Sequence, residues 1–212
     1  MRIKNLAIAA LLGLMGGASG LAHADAITYQ LTVGNPALSG LGPFGQATVT
    51  LIDSTHASVL FTTFAGYTFT DGGSVAINVN GSFSVTALTG NCTGCSYSNG
   101  GAGNENGFGS FNLTINSGNS SPAARSTSIS FTLTDLSGTW ASASAVTIAN
   151  GGNNVVAAHI CQGTQAPDSA CAVTGFATQT GGQEELLPEP GMLSLLGIGM
   201  LAFGFTRVRR SI

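Results

Sequence analysis

Between residues 25 and 187 the side chains able to do chemistry are few: Cys92, Cys95, Cys161 and Cys171, the imidazoles of His56 and His159, and the isolated acids Asp53, Asp71, Glu105, Asp135 and Asp168. A redox role for Cys92-Thr93-Gly94-Cys95 would need a helix N-terminus or a neighbouring cation to lower a thiol pKa, and the sequence offers neither. Covalent haem attachment would need His after Cys95, where Ser96 stands. Zinc held by Cys92, Cys95, Cys161 and His159 lacks the second CxxC or HxxxH spacing that closes such a site. Disulfides remain: Cys161 and Cys171 enclose a short segment containing Pro167, and Cys92 with Cys95 closes a small ring. Four cysteines allow three connectivities, so this pairing is a preference that rests on an oxidising compartment.

Catalysis finds little support. There is no G-x-S-x-G elbow, no H-E-x-x-H, and no lysine in this span for a P-loop or Schiff base. His159, between Ala158 and Ile160, is the better of the two imidazoles as a ligand contact, against the plainer reading of a satisfied strand histidine. Trp140 is the other speculative contact, against core packing. The five acids sit beside Ser, Thr, Asn or Gly, as turn residues do when they bond local backbone amides. Asp71-Gly72-Gly73 and Asn104-Glu105-Asn106-Gly107 carry oxygen donors but match no calcium loop. The expectation is therefore a non-enzyme with no metal and no cofactor.

The elements that would position these residues are strands. Ile27, Tyr29, Leu31 and Val33 alternate with Thr28, Gln30 and Thr32, the pattern of a half-buried strand. Further short runs follow at 47–52, 58–64, 74–80, 82–88, 108–116, 128–134 and 155–160. Asn80-Gly81 predicts a tight hairpin between two of them. The stretch 89–107, rich in Gly and Asn, reads as one long surface loop, and 140–149 fits a strand or a short helix. Together these predict an all-β domain, an antiparallel β-sandwich of jelly-roll type, with barrel and sandwich not separated. Arg125 is the one cation against eight carboxylates between 25 and 187, a balance of −7. Such a surface cannot neutralise phosphates, which excludes nucleic acid as a partner.

The chain ends carry the remaining positive charge. Arg2 and Lys4 precede an apolar stretch from Leu6 to Leu14, and Ala22-His23-Ala24 has the A-x-A form of a signal-peptidase site. Residues 1–24 are expected to be a signal peptide and 25–187 the exported domain. Residues 188–212 begin Pro188-Glu189-Pro190-Gly191, continue as an apolar run from Met192 to Phe205, and finish with Arg207, Arg209 and Arg210. With Gly191 and Thr206 included, this run as a helix is about 24 Å long, short but workable as a single membrane span when the arginines snorkel.

This order of Pro-Glu-Pro, apolar helix and arginine cluster resembles the PEP-CTERM sorting signal of Gram-negative bacteria. The resemblance covers about the last 25 residues. It implies processing by signal peptidase and by an exosortase, a membrane cysteine protease thought to cut near the motif, and delivery to the envelope, cell surface or extracellular matrix. It also implies association with exopolysaccharide and biofilm. For the central domain the leading expectation is a non-catalytic surface protein that binds glycan. The alternative is a secreted polysaccharide-active hydrolase, which would need two facing carboxylates. Ice binding ranks last, because Thr48-Val49-Thr50, Thr68-Phe69-Thr70 and Thr132-Leu133-Thr134 are scattered without a period.

Overall fold

The computed structural model describes residues 25–70, 73–92, 96–117, 125–163 and 170–180. They lie within one compact unit, Ala24–Glu185. Alternating runs become strands β1 (Ala26–Gly34), β2 (Gly45–Asp53), β3 (His56–Thr63), β4 (Tyr67–Phe69), β5 (Val75–Ile77), β6 (Phe83–Gly90), β7 (Tyr97–Glu105), β8 (Gly109–Ser117), β9 (Ser128–Asp135), β10 (Val156–Gln162) and β11 (Val173–Gln179). Two 3-10 turns, Pro36–Leu38 and Ala143–Val146, are the only helical elements among the described residues, and none there is long and apolar enough to cross a membrane. The expected signal segment, with Ala22 and Ala24, and the sorting segment, with Pro188, Glu189, Pro190, Arg207, Arg209 and Arg210, lie outside the described residues.

The fold is all-β, and every strand pair is antiparallel. Pairing is continuous in the order β6-β9-β3-β2-β1-β11-β10-β5-β8-β7, with β4 beside β10. β4 and β5 succeed one another along the same edge of β10. Tyr97 at the start of β7 lies against Gly90 at the end of β6, where a Cβ would overlap the ring. The ladder's two ends thus approach, and the sheet wraps as a nearly closed barrel around its main core. Inward positions fill that core: Leu31, Phe44, Phe61, Phe69, Leu113, Ile129 and Leu133 are all fully buried. Phe61 stacks on Phe131 and meets Phe69 edge-on, geometries that aromatic quadrupoles favour.

Two local expectations are corrected and a third is resolved. Asn80-Gly81 does not join a hairpin: β5 pairs with β8 and β10, whereas β6 pairs with β9. Gly81 keeps the positive φ of +87° that a turn needs, but Asn80 N–H donates to Val146 O and Trp140 Nε1–H to Asn80 O. These bonds tie the corner to the segment after β9 and send the chain to another part of the ladder. The supposed loop 89–107 contains β7, whose Gly100 and Gly103 leave room for Thr114 and Asn116 of β8. A glycine-rich strand carries no hydrophobic alternation, so only its partner's side chains reveal it. For the segment 140–149, expected as a strand or a short helix, the structure has the short helix. It is a 3-10 turn whose Ala143 N–H bonds Asp25 Oδ2 at 2.6 Å, followed by an isolated bridge from Thr147 to Val79.

Candidate functional site

Outward positions of β6, β9, β3, β2 and β1 form cross-strand ranks. In one, Thr86 faces Thr132, then Ser58, then Thr50; in the next, Thr89 faces Ser130, then Leu60, Thr48 and Thr28; in a third, Ser128 faces Thr62, then Gln46 and Gln30. Residues scattered over a hundred positions of sequence come together because side chains alternate across a strand and the register is held. Hydroxyls and amides bond along the ranks, Thr28 to Thr48 at 3.1 Å, Gln30 to Gln46 at 2.9 Å and Thr89 to Ser130 at 2.9 Å. Ranks are about 4.8 Å apart from strand to strand and about 6.7 Å along each strand. β6 stays in phase through a bulge at Ala87, a non-glycine residue at φ +50°, which restores Thr89 to the outer face and sends Leu88 inward. No formal charge lies in these ranks, and Leu60, 44 % exposed, is their apolar centre.

The charged turns sit at one end of this face. Asp53 Oδ1 accepts from Thr55 N–H, His56 N–H and the Thr55 hydroxyl, and lies 2.9 Å from His56 Nδ1. The Thr55 backbone amide, then the His56 ring, hold the Asp53 carboxyl down at about 2. Asp135 Oδ1 accepts from Ser137 N–H and Gly138 N–H. Both acids do the turn work expected of them. Asp71 and Asp168 lie outside the described residues.

On the opposite flank the tip of the β7–β8 hairpin folds over β10 and β11. Phe108 and Phe111 pack with Ala76, Ala157 and Phe176 in a small second core. Asn150 and Asn154 donate to Phe108 O, and Asn35 donates to Asn106 O, pinning the turn. His159 stacks on Phe176 with ring centroids 4.4 Å apart, and its Nε2 is 2.9 Å from the Thr174 hydroxyl. Glu105 is 2 % exposed, lies against Gly73, and its Oε2 has no hydrogen-bond partner among the described residues. Burial pushes its pKa up to about 8, so the carboxyl is largely neutral at pH 7.

Trp140 is 3 % exposed and anchors the core, so its ring offers no sugar-stacking face. Cys161 bonds Cys171, with Cα atoms 5.4 Å apart, and Cys92 is also disulfide-bonded. These bonds remove Cys92 and Cys161 from any zinc set with His159. Cys95, the expected partner of Cys92, lies outside the described residues. Finally, Thr63, Phe64, Tyr67, Thr68, Thr127 and Gly163 line a cleft of about 270 Å³ at the β3–β4 corner.

No family model, curated protein or solved structure matches the chain. The geometry therefore carries the functional reading by itself. Sequence reasoning missed the ranks because it sought a period along the chain, whereas the repeat runs across strands. It missed Glu105 as an unusual group because a flanking Asn-Gly is what an ordinary turn acid also has.

Glu105 makes a direct prediction. Between pH 4.5 and about 8 the folded state keeps a proton that the unfolded chain releases, so stability falls as pH rises through this window and is unaffected below it. Glu105→Gln is expected to melt several degrees above the parent at pH 8 and to show no such gain at pH 4. Equal melting temperatures of the two proteins at pH 8, measured by circular dichroism, would contradict the buried neutral carboxyl.

Proposed function

We propose that this chain is an exported, non-catalytic cell-surface or matrix protein that binds exopolysaccharide through the uncharged outer face of β6, β9, β3, β2 and β1. The observation that carries the reading is the set of cross-strand ranks, hydroxyl and amide groups at fixed spacing with no formal charge. Such a surface suits a neutral polyhydroxyl polymer, whose groups exchange hydrogen bonds with it singly at little cost and sum over its length. The acidic balance of residues 25–187 disfavours polyanionic polymers. Signal peptidase and an exosortase are the processing enzymes on this reading, with the C-terminal helix as a membrane stage before or during display. At the finer level we read the wrapped sheet as sandwich-like, with long-range pairings such as β1–β11 in the manner of a jelly roll.

Ice binding gains from the same ranks, since Thr48, Thr50 and Thr132, aperiodic along the chain, align across the folded sheet, whereas Thr68 is buried. Leu60, Gln30 and Gln46 interrupt the hydroxyl array, and this keeps the glycan reading first.

Two measurements test the proposal. Full-length protein should be retained on dextran or on the host's purified exopolysaccharide, and Thr48→Glu/Thr132→Glu should lower retention at least tenfold with an unchanged melting temperature. Equal retention of parent and variant, or thermal hysteresis in place of polymer retention, would overturn the glycan face. Alanine at Pro188, Glu189 and Pro190 should leave unprocessed chain in the membrane fraction, and normal processing of that variant would refute the sorting assignment.

A further inference from the structure

The cleft at the β3–β4 corner lies where the hydroxyl face runs out. Thr63 directly follows Thr62, and Thr127 directly precedes Ser128, the two residues that pair in the third rank. Thr68 is 1 % exposed, lines the cleft, and its hydroxyl has no hydrogen-bond partner among the described residues. That oxygen is sealed from solvent, so Thr68 shapes the cleft wall and the bonds open to a ligand come from other residues.

Other walls are preset. Thr63 Oγ1 donates to Tyr67 O at 2.8 Å, which leaves its lone pairs to accept. Thr127 is held by its backbone N–H, which donates to Asn91 Oδ1 at 2.8 Å. Tyr67 is fixed by an edge-on contact with Phe44 at 5.2 Å and by Gly42 N–H on its hydroxyl. With Phe64 it supplies an apolar rim, and no charged side chain belongs to the lining. Arg125 stands behind Gly163, its Nη1 3.5 Å from where a Cβ would be, outside the lining itself. The volume is just under the roughly 300 Å³ at which pockets for drug-sized ligands begin, which suits one six-membered ring.

We propose that this cleft is a subsite for a single neutral pyranose unit, its hydroxyls bonded by Thr63 and Thr127 and its apolar edge against Phe64 and Tyr67. The assignment takes its ligand class from the glycan reading above, and it places a chain end or branch of that polymer in the cleft.

Saturation-transfer difference NMR on the full chain, in an amine-oxide detergent free of sugar, tests it. Probes are the methyl pyranosides of glucose, galactose, mannose and N-acetylglucosamine, with methyl glucuronide as the charged control. At least one neutral pyranoside should give signal. Ala65→Trp, which fills the cleft from an exposed position, should reduce that signal at least tenfold without lowering the melting temperature. Thr63→Val, which removes a lining hydroxyl at matched shape, should weaken binding about tenfold. Signal undiminished in Ala65→Trp, absence of signal from every neutral probe, or preference for the glucuronide would overturn the subsite. Thr48→Glu/Thr132→Glu should leave the monosaccharide signal intact. Monosaccharide signal without polymer retention upholds the cleft and refutes the face; retention without signal refutes the cleft and upholds the face.

Discussion

Register is the constraint on which everything else in this domain depends. A strand exposes alternate residues on opposite faces, so a one-residue slip would turn Val59, Phe61, Phe131 and Leu133 to solvent and drive hydroxyls into the core. Burying those apolar side chains, at about 1.5–3 kcal/mol each, sets the phase of β3 against β9 far more strongly than any bond on the outer surface. The hydroxyl ranks are thus a consequence of core formation. Their order comes from the same choice of partners that fills the interior.

The bulge at Ala87 illustrates how firmly this phase is kept. A non-glycine residue at positive φ is unfavourable, and the strand accepts it so that Leu88 reaches the core while Thr89 meets Ser130. Fixed side-chain pairs also explain why the face is uncharged. Asp53 and Asp135 are committed to backbone amides in turns at its end, and Glu105 is buried and largely neutral beneath a separate hairpin tip.

Much of this was legible in the sequence, for reasons that can be traced to residues. Strands β1, β2, β3, β5, β6, β8, β9 and β10 alternate apolar and polar groups or carry a compact apolar run, and these runs coincide with the strands to within a few positions. β7 was not, since Gly100, Gly101 and Gly103 carry no side chains to alternate. β4 is too short to show a pattern, and in β11 Gly175 interrupts the inward series. The bond Cys161–Cys171 is the one that spacing favours among the three connectivities four cysteines allow. What no local pattern could reveal was partner choice: Asn80-Gly81 has the composition of a hairpin, yet bonds to Val146 and Trp140 redirect it. The candidate site was hidden for the same reason, because Thr48, Ser58 and Thr132 become neighbours only after the ladder is assembled.

The ladder's register places these hydroxyls in cross-strand ranks on one face. Cross-strand nuclear Overhauser contacts in isotopically labelled full-length protein test it most directly. Backbone contacts should join Thr86 to Thr132, Thr132 to Ser58 and Ser58 to Thr50. Contacts shifted by one residue, such as Ser58 opposite Leu133, would place the hydroxyls on opposite faces and contradict it.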